Sequence, residues 1–341
     1  MTITVPMTYS VEAWDPSYGT TFATEEQDGL AGSEAELEVD IEVPADRWRA
    51  VSPRPGVKHP QTVLFVDGVR RVDARIWISQ PEELDGGDGL DDGAALGLCA
   101  SYASGVTLCQ HTAAGNTARV VGSQIRRGLF TTAVTASTID APGGNYQAHI
   151  TDADPATPLP QLLSAELQQR LADLEVVTAV AARDQLDPSQ QEGDLLVVDG
   201  PLRGRQHLPR TLGYIKTHHS RYLEVEQNRL VAQLEPGQRT PVFRMGTNWK
   251  RFSWYLRLPY REGAPWAGIV RVECSADLAV TEAVELAYLS QAVLVRYASS
   301  EIKDPRAPQN LYPIAGLEKE LRRRLGNPQI LHRSLRTRRP R

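Results

Sequence analysis

The sequence predicts an α/β fold, a mixed sheet flanked by helices, and three stretches predict it. Thr62-Val63-Leu64-Phe65-Val66-Asp67-Gly68-Val69 and Asp194-Leu195-Leu196-Val197-Val198-Asp199-Gly200-Pro201-Leu202 are apolar, β-branched runs that each lead into Asp-Gly. Runs of this length without polar alternation read as buried strands. Between them, residues 164–182 carry Leu167, Leu171, Leu174, Val177 and Val180 or Ala181 at the spacing of a helix with one apolar face. A helix between two such strands is the crossover unit of a mixed sheet.

Each Asp-Gly places a carboxylate where a strand leaves the sheet, and the glycine lets a backbone or ligand approach closely. Two aspartates on neighbouring strands repel, so such a pair needs a cation or a shared proton. That is the geometry of a metal site, and it points to phosphodiester chemistry. The same dipeptide is also an ordinary strand-to-turn signal, and the sequence leaves both readings open.

A chain of 341 residues can bury a good core in one large or two modest domains. The net charge of -5 conceals an asymmetry. The stretch from Glu25 to Asp46 is acidic, whereas Lys319, Arg322, Arg323, Arg324, Arg333, Arg336, Arg338, Arg339 and Arg341 make the end basic. A basic terminus suits a phosphate backbone; it also suits a solvated helix face and a frayed tail. No stretch approaches the ~20 continuous apolar residues of a bilayer span. The first residues lack the basic-then-apolar order of a signal peptide, so a cytoplasmic protein without a membrane partner is expected. Cys99, Cys109 and Cys274 show no paired spacing and read as reduced thiols, not as a disulfide framework or a zinc site.

Taken in order, residues 1–55 form an N-terminal extension that packs on the body or on a second subunit, with Trp14, Tyr18 and Trp48 as its aromatic residues. Residues 56–330 form the main domain and 331–341 a basic tail. Residues 62–69 are the first core strand, and the period-two alternation of residues 70–79 makes them its hairpin partner. The acidic, Gly-rich residues 85–92 are a loop, and 96–108 a third strand antiparallel to the second. Three strands in meander order, the first bearing the Asp, open an RNase H-like core. Further strands fall at 119–123 and 130–134, with turn chemistry at Pro142-Gly143-Gly144. Arg126 and Arg127 either reach a substrate from here or stay on the surface. Pro155, Pro158 and Pro160 mark a junction before the helix, for which Ser164 is a suitable cap.

Glu166 falls in the expected first turn, where the helix dipole alone favours a carboxylate. Glu175 lies among Leu174, Val176 and Val177 and is the better functional candidate. Residues 210–217 form an apolar strand ending in Lys216. The cluster Lys216-Thr217-His218-His219-Ser220-Arg221 follows. Adjacent strand residues point to opposite faces, so at most one of the histidines would ligate a metal; Lys216 and Arg221 read as phosphate contacts. Residues 250–258 and 267–274 are strands, the second carrying Arg271 and Glu273. Trp249, Trp254, Tyr255 and Trp266 either stack bases of a single strand or, the favoured use, pack a core or dimer interface. Residues 277–299 form an amphipathic helix. Leu311, Ile314, Leu317, Leu321 and Leu325 keep helical spacing in the last element, with Pro313 in its first turn.

The ordered set resembles the NurA nuclease family over roughly residues 60–330. It comprises the Phe65-Val66-Asp67-Gly68 strand, the acidic helix, Leu196-Val197-Val198-Asp199-Gly200-Pro201-Leu202, then Gly213-Tyr214-Ile215-Lys216-Thr217 and a helix bearing Tyr312-Pro313. The resemblance implies an RNase H-like core and a manganese-dependent DNA nuclease, with Mg²⁺ as the alternative ion. It implies 5′ to 3′ degradation, single-strand cutting, and a ring-like homodimer working with the HerA hexameric ATPase in DNA-end resection and recombinational repair. Asp67 and Asp199 match the family's catalytic aspartates, and Glu175 its helix glutamate, with Glu166 the alternative. The family's C-terminal pattern is Tyr-Pro-x-Pro-Leu-x-x-Ala-His. Aligning Pro313-Ile314 with its second Pro-Leu puts Glu318 at the histidine and Asn310 at the tyrosine; a register shifted by two selects Tyr312 and Glu320 instead. The expected catalytic and metal set is therefore Asp67, Glu175, Asp199 and Glu318, with DNA contacts from Lys216, Arg221, Arg126, Arg127, Arg322 and Arg323. Carboxylates of this kind suit hard divalent ions, which two-metal hydrolases hold about 3.5–4 Å apart.

Two rival classes remain. A sugar-kinase or actin-like ATPase also places aspartates on RNase H-like strands, but it needs Gly-rich phosphate loops that this sequence lacks. A catalytically silent DNA-binding partner of a hexameric translocase is supported by the missing histidine. No Gly-x-x-x-x-Gly-Lys-Ser/Thr pattern occurs, so ATP-driven translocation must come from another chain.

Overall fold

The computed structural model describes residues 36–79, 94–112, 115–218, 222–246, 249–260, 266–300 and 302–337. Trp14, Tyr18, the 85–92 loop, His219, Arg221 and the last arginines, Arg338, Arg339 and Arg341, lie outside the described residues. Along the chain run β1 (Glu36–Glu38), β2 (Thr62–Ser79), β3 (Ala94–Thr112), β4 (Gly115–Thr131), β5 (Ile139–Ala141), β6 (Gly144–Ile150), α1 (Leu159–Asp184) and a short α2 (Pro188–Gln191). They continue with β7 (Leu195–Asp199), β8 (Thr211–Ile215), α3 (Val225–Gln233), β9 (Phe243–Gly246), β10 (Lys250–Arg257), β11 (Ile269–Ser275), α4 (Val280–Tyr297), α5 (Tyr312–Arg324) and α6 (Pro328–Arg336). This is the mixed α/β architecture the sequence predicts. Two compact units divide it: Met1–Phe65, Cys109–Ala118 and Pro188–Ala315 form the first, and Val66–Leu108, Arg119–Asp187 and Gly316–Arg341 the second.

In the first unit the strands are hydrogen-bonded in the order β1-β9-β10-β11-β8-β7 and then the opening of β2. β9, β10, β11 and β8 pair antiparallel in turn, and β7 runs parallel to β8 with Asp199 opposite Tyr214. The apolar stripe of α4 covers this sheet, with Leu286, Ala287, Val293 and Leu294 among Trp254, Leu256, Val270 and Val272. Trp254 is fully buried, and its indole N–H donates to Ser290 Oγ at 3.0 Å. Tyr255, also buried, packs near Phe243, His218 and Trp266. These aromatics are core, the favoured expectation. His218 is part of the same core, with Nε2 3.1 Å from the Ile269 carbonyl, so it takes no place among metal ligands.

In the second unit the order is β2-β3-β4-β6-β5, so the neighbours in chain order are β2, β3 and β4 and not the expected three strands at 62–69, 70–79 and 96–108. β5 and β6 form a hairpin across Pro142-Gly143, with Gly144 at φ +132°, a value that excludes most side chains. Leu163, Leu167, Leu171 and Leu174 of α1 pack with Leu98, Ala100, Tyr102 and Phe130. Leu317, Leu321 and Leu325 of α5 pack with Val69 and Ala103. Arg71 and Arg127 donate to the Leu325 carbonyl, and Arg71 also to Gly326 O at 2.9 Å. Two guanidiniums thus satisfy the exposed carbonyl end of α5, where cations are favoured.

Several local expectations need correction. Residues 62–79 form one strand of 18 residues, so residues 70–79 continue the first strand and are not its hairpin partner. Gly68 makes no turn; its missing side chain is used for packing. Residues 115–131 likewise form one strand where two were expected. Helix α1 begins at Leu159 after Pro158, with Pro160 in its first turn, so Ser164 is interior and does not cap. Its buried face turns toward Glu175, Thr178, Ala179 and Ala182, leaving Val177 and Val180 exposed. Beyond Arg324, α6 is a helix the sequence reading does not include; the Asn327 side chain caps it by accepting the Gln329 and Ile330 N–H groups at 2.9 and 3.2 Å.

Candidate metal centre

Asp67 lies within the apolar run of β2 and is 6% exposed; its Oδ1 accepts the Gly68 N–H at 2.7 Å. Side chains alternate across a strand, so Asp67 shares a face with Val69, which packs on Leu317 and Leu321 of α5. Glu318 belongs to that helix. Gly68 faces the other way, toward α1. A Cβ at residue 68 would stand 2.6 Å from Leu171 Cδ1 and closer still to a Glu175 carboxylate oxygen. The glycine therefore lets the buried Glu175 carboxylate approach the strand one residue beyond Asp67. Gly68→Ala is expected to cost about 1–3 kcal/mol through this overpacking, read as a lowered denaturant midpoint with an unchanged slope. A midpoint equal to that of the native protein would refute the close approach.

Glu166 has a different position. It pairs with Arg170 at 2.7 Å, an i,i+4 ion pair on the outer side of α1. Because the helix starts at Leu159, the first-turn reasoning for Glu166 does not hold.

Asp199 closes β7, and Lys216 stands just past the end of β8. The Lys216 ammonium donates to Asp199 Oδ2 at 2.6 Å, and both side chains are largely shielded from solvent. It also donates to Asn310 Oδ1 at 3.3 Å, while Asn310 Nδ2 donates to Asp304 Oδ2 at 2.8 Å. Tyr214, opposite Asp199, is fully buried. Burial first, then the Asp199 charge, push its phenol well above the usual range, so it stays a donor, to the Gln309 carbonyl at 2.6 Å.

Within the second unit, Asp67 and Glu318 each present a carboxylate oxygen, and the two oxygens lie within 4.8 Å of each other. Like charges at that separation require a compensating cation or proton. The donor set is all hard oxygen, without histidine or cysteine, and so fits Mg²⁺ or Mn²⁺ better than softer ions. Cys99, Cys109 and Cys274 are buried and unpaired, and burial raises their thiols, Cys99 to about 12.

The other C-terminal candidates are engaged elsewhere. Glu320 accepts from Arg323 at 2.8 Å and Arg324 at 2.7 Å, and these guanidiniums hold its carboxyl at about 2. The Tyr312 hydroxyl donates to Ser300 Oγ at 3.0 Å. Among the expected DNA contacts, Arg126 is exposed and donates to Gln124 Oε1 at 2.9 Å, Arg127 serves the end of α5, Arg323 binds Glu320, and Arg322 is exposed. The Lys216–Asp199 pair was missing from the sequence reading. Its signal is a strand ending in Lys beside a strand ending in Asp, which becomes informative only once β7 and β8 are known to pair.

No protein-family model matches this chain, and no curated protein matches it. Among solved structures, the chain is similar to the crystal structure of the NurA nuclease from Sulfolobus solfataricus, with 9% sequence identity and a TM-score of 0.43, over 82% of this chain and 84% of that one.

Proposed function

We propose that this protein is a divalent-metal-dependent DNA nuclease of the NurA kind, built on an RNase H-like core. The observation that carries the reading is the approach of the Asp67 and Glu318 carboxylates from two separate elements, β2 and α5. The order of Asp-Gly strands, acidic helix and C-terminal helix supports it. Asp67, Asp199 and Glu318 are the residues that would hold Mn²⁺ or Mg²⁺. When bound, such an ion neutralises phosphate charge and lowers the pKa of a water nucleophile. Glu175, admitted by Gly68, is the helix carboxylate of the set, and Lys216 keeps a positive charge at Asp199.

Arg221, Arg322 and Arg323 are proposed as phosphate contacts, in keeping with the basic C-terminal region. Arg126 and Arg127 are weaker candidates, Arg127 because it already serves α5. In this reading the protein cuts single strands and degrades DNA 5′ to 3′. It works as a cytoplasmic homodimer with a HerA-type hexameric ATPase in end resection and recombinational repair. Labelled single- and double-stranded DNA incubated with Mn²⁺, Mg²⁺ or EDTA tests it; metal-dependent cleavage is expected. Binding without cleavage would favour the silent-partner reading, which Glu318 in place of the family's histidine supports.

Glu318→Gln is expected to raise the Mn²⁺ concentration for half-maximal cleavage by about tenfold or more, since losing a charged ligand weakens a hard-ion site at least as much as losing an outer-shell partner. A titration that overlays that of the native protein would remove Glu318 from the ligand set.

A further inference from the structure

We infer that the outer face of α6 is a docking surface for the phosphate backbone of DNA, contacted through Arg333 and Arg336. The inference rests on the DNA-acting part of the proposed function and adds to it a surface that holds the strand.

The helical period divides α6 (Pro328–Arg336) into two faces. Leu331, Ser334 and Leu335 turn inward. Leu331 and Ser334 are buried, and Leu335 packs against the cluster of Cys99, Leu129 and Tyr146 together with Ile76, Ile78 and Ile139. Gly143 admits the helix, since a Cβ there would stand 2.6 Å from Leu331 Cδ2 and 2.9 Å from Ser334 Oγ. Gln329, His332, Arg333 and Arg336, at i, i+3, i+4 and i+7, share the opposite face and are exposed. All of these residues belong to the second unit.

The outer face is positive without compensation. On α5, Arg323 and Arg324 share the Glu320 carboxylate. No Asp or Glu follows Glu320 in the sequence, and among the described residues no carboxylate pairs with Arg333 or Arg336. Two features select a phosphate backbone over a lipid surface. The apolar face of α6 is already buried against the protein, leaving Ile330 as the large apolar side chain that the helix exposes, whereas a helix lying in a membrane inserts a whole apolar face. Arg333 and Arg336 are also about 4.5 Å apart along the helix axis, near the roughly 3.4 Å axial step between phosphates of one strand. Guanidinium forks match phosphate oxygens in pairs.

Fluorescence anisotropy of a labelled single-stranded oligonucleotide, titrated in EDTA over a range of salt so that no cleavage intervenes, tests this. Each phosphate contact on a single strand contributes about 0.7 to the slope of log affinity against log salt. Arg333→Gln/Arg336→Gln is expected to flatten the slope by about 1.4 and to weaken binding about twentyfold at about 0.1 M salt. Arg333→Lys/Arg336→Lys keeps both charges and should keep the native slope. If the double glutamine variant does not fold, the two single variants replace it, each flattening the slope by about 0.7. Thermal melts run alongside, because cations that served only the helix dipole would move the melt and leave the slope alone. Native slopes in the glutamine variants would overturn the docking surface while leaving the nuclease reading intact. Binding to phosphatidylserine vesicles that needs both arginines, with an unchanged DNA slope, would overturn it in favour of a lipid surface. No DNA binding by the native protein would overturn the docking surface and the proposed function together. The expected slopes in a protein that does not cleave DNA with Mn²⁺ would uphold the docking surface and remove only the nuclease reading.

Discussion

Asp67→Asn and Asp199→Asn are each expected to lower metal-dependent DNA cleavage at least about a hundredfold, because under the proposed function each removes a charged oxygen that would hold a divalent ion. The substitutions are isosteric, which separates charge from packing. Asp67 is buried on β2 with one oxygen on the Gly68 N–H, an acceptor role that an asparagine carbonyl retains. Asp199→Asn has a second consequence, since it leaves the Lys216 ammonium without its carboxylate at 2.6 Å. That variant should therefore lose some stability as well as activity, whereas Asp67→Asn should lose mainly activity. Cleavage of labelled single-stranded DNA in Mn²⁺, with circular dichroism melts run alongside, distinguishes the two patterns. Cleavage near the native rate by either variant would remove the carboxylate group as the seat of the activity.

Glu273→Ala is expected to cost about 3–5 kcal/mol of folding stability, the scale for breaking a buried ion pair by removing one partner. Glu273 is fully buried on β11, where its Oε2 meets Arg271 Nη1 at 3.1 Å and Arg251 Nε at 3.2 Å. Its other oxygen accepts the Leu202 N–H at 2.7 Å. Removing it leaves two buried guanidiniums facing each other without this carboxylate and a backbone donor without its acceptor. Leu202 is three residues beyond Asp199, so the loosened segment is the one that leaves the candidate centre. Glu273→Gln keeps an acceptor for Leu202 and should fall between the native protein and the alanine variant. Urea unfolding measures all three; an alanine variant within about 1 kcal/mol of the native protein would show that the cluster relaxes without cost.

The sequence by itself determined the strands that carry Asp67 and Asp199, the apolar stripe of α5 and the apolar pairing face of α4. Each is a local pattern, an unbroken apolar run or a 3.6-residue period, and such patterns hold wherever the segment packs. Leu311, Ile314, Leu317, Leu321 and Leu325 are buried as that period requires. The two Asp-Gly signals were legible as residues but not as roles. At Gly68 the strand runs on, because the glycine makes room for Leu171 and Glu175 of α1 and does not turn the chain.

Only the tertiary structure decided which carboxylates meet. Glu318 and Glu320 are both acidic positions on one helix. The arginines three and four residues along take Glu320, while the face of α5 that packs on Val69 carries Glu318 toward Asp67. The same holds for Lys216, whose partner depends on the parallel pairing of β7 with β8, and for His218, which the Tyr255 and Trp266 rings enclose. Each of these choices depends on side chains from distant segments arriving at one place, and periodicity within a segment carries no information about what it will face.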